Sequence, residues 1–467
     1  MSVQGVPSEK FGLKAVDGWE EEFNGLCDST IATLKANEHL SLELSGESTQ
    51  FMRLNNSKVR QSGTVTAGYV SMQLIDGDRT ATMTVPFTGD RDLDRATVLE
   101  GLNDLRQELP QLPADPYVVL PANLGSSRDS HGGKLLDPDQ VADALLTSVQ
   151  DIDFTGIYAS GAVVRATGNS AGQRHWFATE TFDLDYSVIG ASERAVKGAL
   201  AGQAWDQEKF ESQVRRSRSQ LVTLESQPFK KIKPGQYRTY LAPAAVTELV
   251  FMFSWGAVSE ASVRQGDSAL AKMRDGRSLS HHFTLVEDFT QGTVPRFNSL
   301  GEVSTPEVPI IVEGELRNTL VSTRTAKEYG IKGNAASDWE GLRSPRIASG
   351  TLAEADILRE LDCRLYLSNL HYLNWSDQPG GRITGMTRYA CFWVENGEIQ
   401  APIQDLRFDD SLYNFFGPNL VACTDSAEFV PDPDTYEERS IGGVTTPGVL
   451  INDFAFTLLC RRSEVAV

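Results

Sequence analysis

Hydrolytic zinc chemistry asks for imidazole, thiolate or carboxylate donors at matched spacing. The six histidines of this chain, His39, His131, His175, His281, His282 and His371, recur at no such interval. His281 and His282 are adjacent and open an apolar run that reads as a strand. Neighbouring strand residues face opposite sides, so one ring is expected in the core and the other in solvent, which is no chelate. His371 lies in the aromatic, polar segment "SNLHYLNWSDQPGG", where ordinary packing is the simpler reading than a pocket lining. The five cysteines, Cys27, Cys363, Cys391, Cys423 and Cys460, contain no CxxC pair. Such an odd, scattered set reads as reduced thiols and not as a disulfide framework. Ser170, in the turn "GNSAGQRH", has no partner base that spacing identifies, and neither a GxSxG elbow nor a phosphate-binding loop occurs. Nucleophile, base and orienting group are therefore not assembled by any motif. The sequence offers no catalytic, cofactor-binding or metal-binding residue.

The elements that would have to position such groups are strand-rich. Residues 19–39 suit an amphipathic helix with Phe23, Leu26, Ile31 and Leu34 inward. Residues 40–87 alternate Thr, Val and apolar residues as a meander of strands, with "DGDR" (76–79) as a hairpin turn. Helices are expected at 92–109 and 137–150, joined by a Pro- and Gly-rich connection. Strands return between 154 and 190, and a polar helix at 207–225 leads to "SQPFKKIKPGQY", taken as the domain boundary. This gives an N-terminal α+β domain, residues 1–226, and a C-terminal β-rich domain, residues 227–467. The second domain opens with a strand running into a helix near Pro243, where proline is tolerated. Val246, Leu249, Val250, Phe253 and Ala257 recur there at helical spacing as a core stripe. Glu248 and Glu260 read as solvated helix residues. Further helices are expected near Thr325 and Ala353, a hairpin at Asn396-Gly397, and a buried strand at "TPGVLINDFAFTL". Strand and helix runs do not alternate regularly, so the fold class is α+β: two strand-rich domains, a mixed or antiparallel sheet in the first and a larger β-rich second.

Several of these stretches resemble the TldD/PmbA family, which includes a paired peptidase of two related subunits. "PGQYRTYLAPAAVTELV" (234–250) is similar to the family's strand-to-helix opening of the second domain. "EGELRNTLVSTRTAKEYGIKGNA" (313–335) and "GRITGMTRYACFWVENGEIQAPIQDLRF" (381–408) are similar to two of its Gly-punctuated blocks; "NSAG" (169–172) and the meander at 51–84 match more loosely. In the zinc-bearing branch an HExxxH motif lies on the helix after that opening, and a Cys from a glycine-rich C-terminal loop completes the ligand set. Aligned on "WGAV", the two histidines of the motif would fall at Phe253 and Val258 and its glutamate at Ser254. No Cys stands close to the Gly442-Gly443 pair, and Cys423 lies well upstream as a buried thiol. In "RFNSLGEV", Asn298, Ser299 and Leu300 occupy positions where the family tends to place acids. The resemblance therefore implies the PmbA/TldE-like branch that lacks the zinc motif.

Bulk properties limit the partners. Acidic residues number 63 against 43 basic, for a net charge of −20, and 40% of residues are hydrophobic and 23% charged. Such a field repels phosphate backbones, and the basic patches "RRSRS" (215–219) and "FKKIK" (229–233) read as a solvated helix face and a linker. The start lacks the apolar region of a signal peptide, and no window approaches the roughly 18 apolar residues of a membrane span. A cytoplasmic protein is expected, with no nucleic-acid or membrane partner. The resemblance implies a TldD-like zinc-bearing sister subunit, zinc held in that partner and none in this chain, and a small or unfolded peptide as substrate. A peptide- or protein-binding homodimer without proteolysis is the alternative, and a hydrolase using a Cys or Ser nucleophile ranks last.

Overall fold

The computed structural model describes residues 11–459 except 363 and 437. The start at residues 1–10, where no signal peptide is expected, Cys363 and Cys460 lie outside the described residues.

Alternation in the first part builds a seven-stranded sheet. Its spatial order is Arg79–Pro86, Lys58–Asp76, Glu38–Asn55, Asp153–Asn169, Arg174–Ile189 and Ser127–His131, with Ala195–Gly202 also on Arg174–Ile189. Ser127–His131 runs parallel to its neighbour and the other pairings are antiparallel. Asp76 pairs with Arg79 across a turn in which Gly77 has φ of 63°, the left-handed value that tight hairpins require. Helices Trp19–Ile31 and Arg91–Glu108 bury Phe23, Leu26, Val98, Leu102 and Leu105 against Leu40, Leu42, Leu44, Val70 and Met72.

Two helices are shorter than the periodicity predicts. The first stops at Ile31, because residues after it close turns, with Glu38 N–H donating to Lys35 C=O at 3.0 Å. Leu34 still packs on the core from that turn. The helix expected at 137–150 is confined to Val141–Leu146. Asp137 accepts from Asp139 N–H at 3.0 Å, so its side chain forms a local turn across Pro138 in place of a helix start.

The second part forms an eleven-stranded sheet. The strands Gly443–Leu459, Leu406–Ser411, Arg382–Glu395, Arg364–Asp377 and Gly235–Leu241 are neighbours in that order, and Gly235–Leu241 pairs back onto Gly443–Leu459, which closes them into a ring. The Arg382–Glu395 hairpin turns at Asn396 and Gly397, with φ of 55° and 74°, as a type I′ turn demands. Helix Pro243–Met252 packs Ala245, Val246, Leu249 and Val250 into the largest apolar cluster, beside Phe408, Phe415 and Phe454.

His281 and His282 do not open a strand, which begins only at Leu285. Ser280 Oγ accepts from His282 N–H at 3.3 Å and Ser280 C=O from Phe283 N–H at 2.9 Å, making a turn. Both rings are therefore exposed on one side, with centroids 3.8 Å apart, and the opposite-face expectation fails. Cys27, Cys391 and Cys423 are buried free thiols, and burial pushes them up to about 12, about 11 and about 12. Within the basic patches, Arg216 pairs with Glu354 at 3.2 Å and Lys230 with Glu395 at 2.7 Å. Among the described residues no helix is long and apolar enough to cross a membrane.

Candidate functional site

Between the two sheets lies a cleft of about 980 Å³, within the range of peptide and small-molecule sites. The N-terminal sheet contributes Glu43 and Arg165. Most of the remaining lining comes from four stretches far apart in sequence: the end of the Pro243 helix, the loop carrying Asn298 and Ser299, the segment 337–345, and the loop at Ile441 and Gly443; Leu373, Asp432 and Asp434 complete it. Three of these four are the stretches that the zinc-bearing pattern marks.

The backbone at the first stretch departs from a helix. Helix Pro243–Met252 gives way to a wide turn in which Trp255 (φ −83°, ψ 62°) and Gly256 (φ 81°, ψ −4°) are non-helical. A Cβ on Gly256 would stand 2.8 Å from Gln378 Nε2, so the close approach as well as the positive φ selects glycine. The Trp255 carbonyl, turned outward, accepts from Trp375 Nε1 at 3.2 Å and from Gln378 Nε2 at 3.3 Å. Phe253 is fully buried, its ring 6.0 Å from that of Phe283. Val258 is fully buried as well, its carbonyl accepting from Leu320 N–H at 2.8 Å. Of the three positions only Ser254 lines the cleft, and its Oγ accepts from Leu342 N–H at 3.2 Å.

The second stretch is a self-satisfied turn. Asn298 Oδ1 accepts from Leu300 N–H at 3.1 Å and Glu302 N–H at 3.0 Å, and Nδ2 donates to Glu302 at 2.9 Å. Ser299 Oγ donates to Asp338 at 3.4 Å. At the third ligand position Gly443 lines the cleft, whereas Cys423 points away and donates to the His282 carbonyl at 3.6 Å.

A phenyl ring and an isopropyl group in the core, a hydroxyl already engaged and a glycine do not fit a zinc ion, which takes three or four N, O or S donors. Among the described residues no group of three or more His, Cys, Asp or Glu stands close enough to hold a metal. His371 sits on Arg364–Asp377, its ring 3.9 Å from that of exposed Tyr372, and the cleft lining does not include it. Ser170 Oγ accepts from Leu40 N–H at 3.1 Å, a structural bond that ties its turn to strand Glu38–Asn55.

What the cleft does offer is aromatic surface and carboxylates. Trp255 and Trp339 line it at 57% and 58% exposure, unusual for indoles that face no partner. Burial pushes the Glu248 carboxyl above its ordinary value, which the solvated-residue reading did not anticipate. Behind the wall, burial pushes Glu287 up to about 7, opposed by the Arg343 guanidinium and by bonds from Arg343 and Ser344 N–H at 2.8 Å each. Arg343 in turn donates to the Phe297 carbonyl at 2.9 Å and lies 4.6 Å over the Phe289 ring. Sequence gives no reason to single out Trp339, Glu43 or Arg165, since their only signal is an exposed tryptophan or a lone charge in a polar stretch.

Two sheets joined around such a cleft define the class: a strand-rich α+β protein with a cleft between two sheets. Residues 234–458 match the profile of the PmbA/TldA metallopeptidase C-terminal domain. Among relatives, the chain is 26% identical over 286 residues to a protein named metalloprotease PmbA from Escherichia coli O157:H7, covering 58% of this chain and 59% of that one. It is 23% identical over 347 residues to a metalloprotease PmbA homolog from Haemophilus influenzae, covering 73% of this chain and 67% of that one. In fold it matches the crystal structure of TldE from Thermococcus kodakarensis, with a TM-score of 0.73 at 14% identity over 94% of this chain and 100% of that one. Residues 234–458 thus carry the C-terminal domain of the PmbA/TldD metallopeptidase-like family, and the chain is similar to PmbA proteins beyond it.

Proposed function

We propose that this chain is a metal-free, non-catalytic subunit of a TldD/TldE-like heteromeric zinc metallopeptidase acting on small or unfolded peptides. On this reading it belongs to the PmbA/TldE-like branch, has its domain boundary at 226/227, and works in the cytoplasm. A TldD-like sister carries the zinc and hydrolyses the bond, while this chain supplies cleft wall and peptide contacts. One observation carries the reading. The positions of the zinc motif converge on a peptide-sized cleft, yet present Phe253 and Val258 to the core and only the Ser254 hydroxyl to the cavity. A water cannot be activated there without an ion or a base. Purification of the chain from its native host, with metal analysis of the eluted complex, tests this. A co-eluting HExxxH-bearing sister with zinc in that subunit is expected. About one tightly held zinc per isolated chain, or peptide cleavage by it, would overturn the proposal.

A second reading, a peptide-binding homodimer with no proteolysis, is favoured by Trp255 and Trp339, which offer an aromatic lip whatever a partner does. A homodimer that elutes without any sister would select it.

A further inference from the structure

The loops that wall the cleft, around 298–305 and 333–339, also wall a second recess of about 1060 Å³. Its apolar lining includes Met273, Leu316, Val321 and Ile331. Its charged lining is basic: Arg264, Arg274, Arg317 and Lys332 face two carboxylates, Glu260 and Glu302. In a chain of net charge −20 this local excess runs against the overall field.

The two acids are already engaged. Glu260, its side chain 2% exposed, accepts from Arg264 Nε at 2.7 Å, from Arg274 Nη1 at 3.2 Å and from Thr319 Oγ1 at 2.6 Å. It fixes those two guanidiniums in the wall while leaving them 40% and 39% exposed. Glu302 accepts from Asn298 and belongs to that turn. Arg317 and Lys332 have no carboxylate partner among the described residues, and both are exposed at the recess. Two uncompensated cations beside two anchored guanidiniums, over an apolar floor, make a receptor for an anion with a hydrophobic body. A guanidinium fork and an ammonium both match the lone pairs of a carboxylate or phosphate.

We propose that this recess binds a small oxyanion, carboxylate or phosphate, carried on an apolar body, with Arg317 and Lys332 holding the charge and Met273, Leu316 and Ile331 receiving the apolar part. The site is separate from the peptide cleft and does not depend on the peptidase reading. Isothermal titration of the full chain with inorganic phosphate in one arm and N-acetyl-leucine in the other tests it. Saturable binding that weakens with added salt is expected in at least one arm. The Arg317→Gln/Lys332→Gln variant should weaken it by roughly tenfold or more, with an unchanged melting transition, since both side chains lie at the surface. Trp339→Ala, in the cleft, should bind as the parent does. Tighter binding of phosphate assigns the site to phosphate-bearing ligands, and tighter binding of N-acetyl-leucine to apolar carboxylates; either supports the proposal. No saturation in either arm, or parental affinity in the double variant, overturns it. Should the double variant fail to fold, Lys332→Glu alone must weaken binding, and parental affinity there has the same consequence.

Discussion

Phe253 and Val258 turn into the core because the chain leaves the helix between them. Four residues intervene, the left-handed Gly256 among them, and both side chains are fully buried and absent from the cleft lining. Restoring the ligand letters should therefore not restore the metal site. A Phe253→His/Ser254→Glu/Val258→His variant is expected to bind no stoichiometric zinc by atomic absorption. Two imidazoles placed among Phe283, Phe416 and Leu320 should also lower stability by about 3 kcal/mol or more in denaturant melts, through lost packing and unpaired buried nitrogens. One tightly bound zinc per variant chain would show that the misfit of these positions to zinc is a matter of side chains alone. The apolar stripe of Val246, Leu249, Val250 and Phe253 is legible in the sequence, because burial follows periodicity. The break at Trp255-Gly256 is not, because "WGAV" reads equally well as helix until Gln378 arrives from a turn more than a hundred residues away. Cys423 and Ser170 offer no partner base by spacing, and in the structure each makes a packing or turn-anchoring contact.

At the level of elements, short-range signals were the readable ones. "DGDR", Asn396-Gly397 and Pro243 each impose a local dihedral requirement, and each stands where that requirement places it. His281-His282 and the 137–150 helix misled because polar side chains, Ser280 and Asp137, claim the backbone for turns. A third kind of information, pairing between distant strands, is invisible locally. Strand Leu285–Asp288 is tied to residues 343–344 through Glu287, whose burial pushes it from 4.5 up to about 7. A carboxyl harder to ionise when folded binds its proton more tightly in the native state than in the unfolded one. Stability should therefore fall as pH rises from near 4.5 through about 7, and level off above that. The expected contribution is on the order of 3 kcal/mol. Denaturant melts across that window should show Glu287→Gln flattening the profile, since the amide oxygen still accepts from both backbone donors. An unchanged slope in the variant would mean that the carboxylate is compensated by Arg343 at every pH.

For the whole molecule, what keeps the cleft a cleft is a latch between the domains just ahead of the glycine pair. Arg439, 2% exposed at its side chain, crosses from the second domain into the first sheet. Its guanidinium donates to the Thr181 carbonyl at 3.0 Å, the Gly161 carbonyl at 3.0 Å and Asp183 at 3.2 Å. Its own N–H donates to Glu47 at 3.1 Å, and the preceding Glu438 accepts from Arg165 at 3.3 Å and from Ser45. Burial holds Asp183 above the usual carboxylate range even so, which marks it as a group that depends on its cation. Removing one member of such a pair leaves the other uncompensated, a loss of about 3–5 kcal/mol. Arg439→Ala is accordingly expected to destabilise the chain by that amount, and to weaken any peptide bound in the cleft, because Ile441 and Gly443 of its wall follow directly on the latch. Asp183→Asn added to Arg439→Ala should recover part of the loss, since the stranded charge is then gone. A double-mutant cycle in which the two changes simply add would show that Arg439 acts through its carbonyl bonds alone, and that no ion pair holds the two sheets around the cleft.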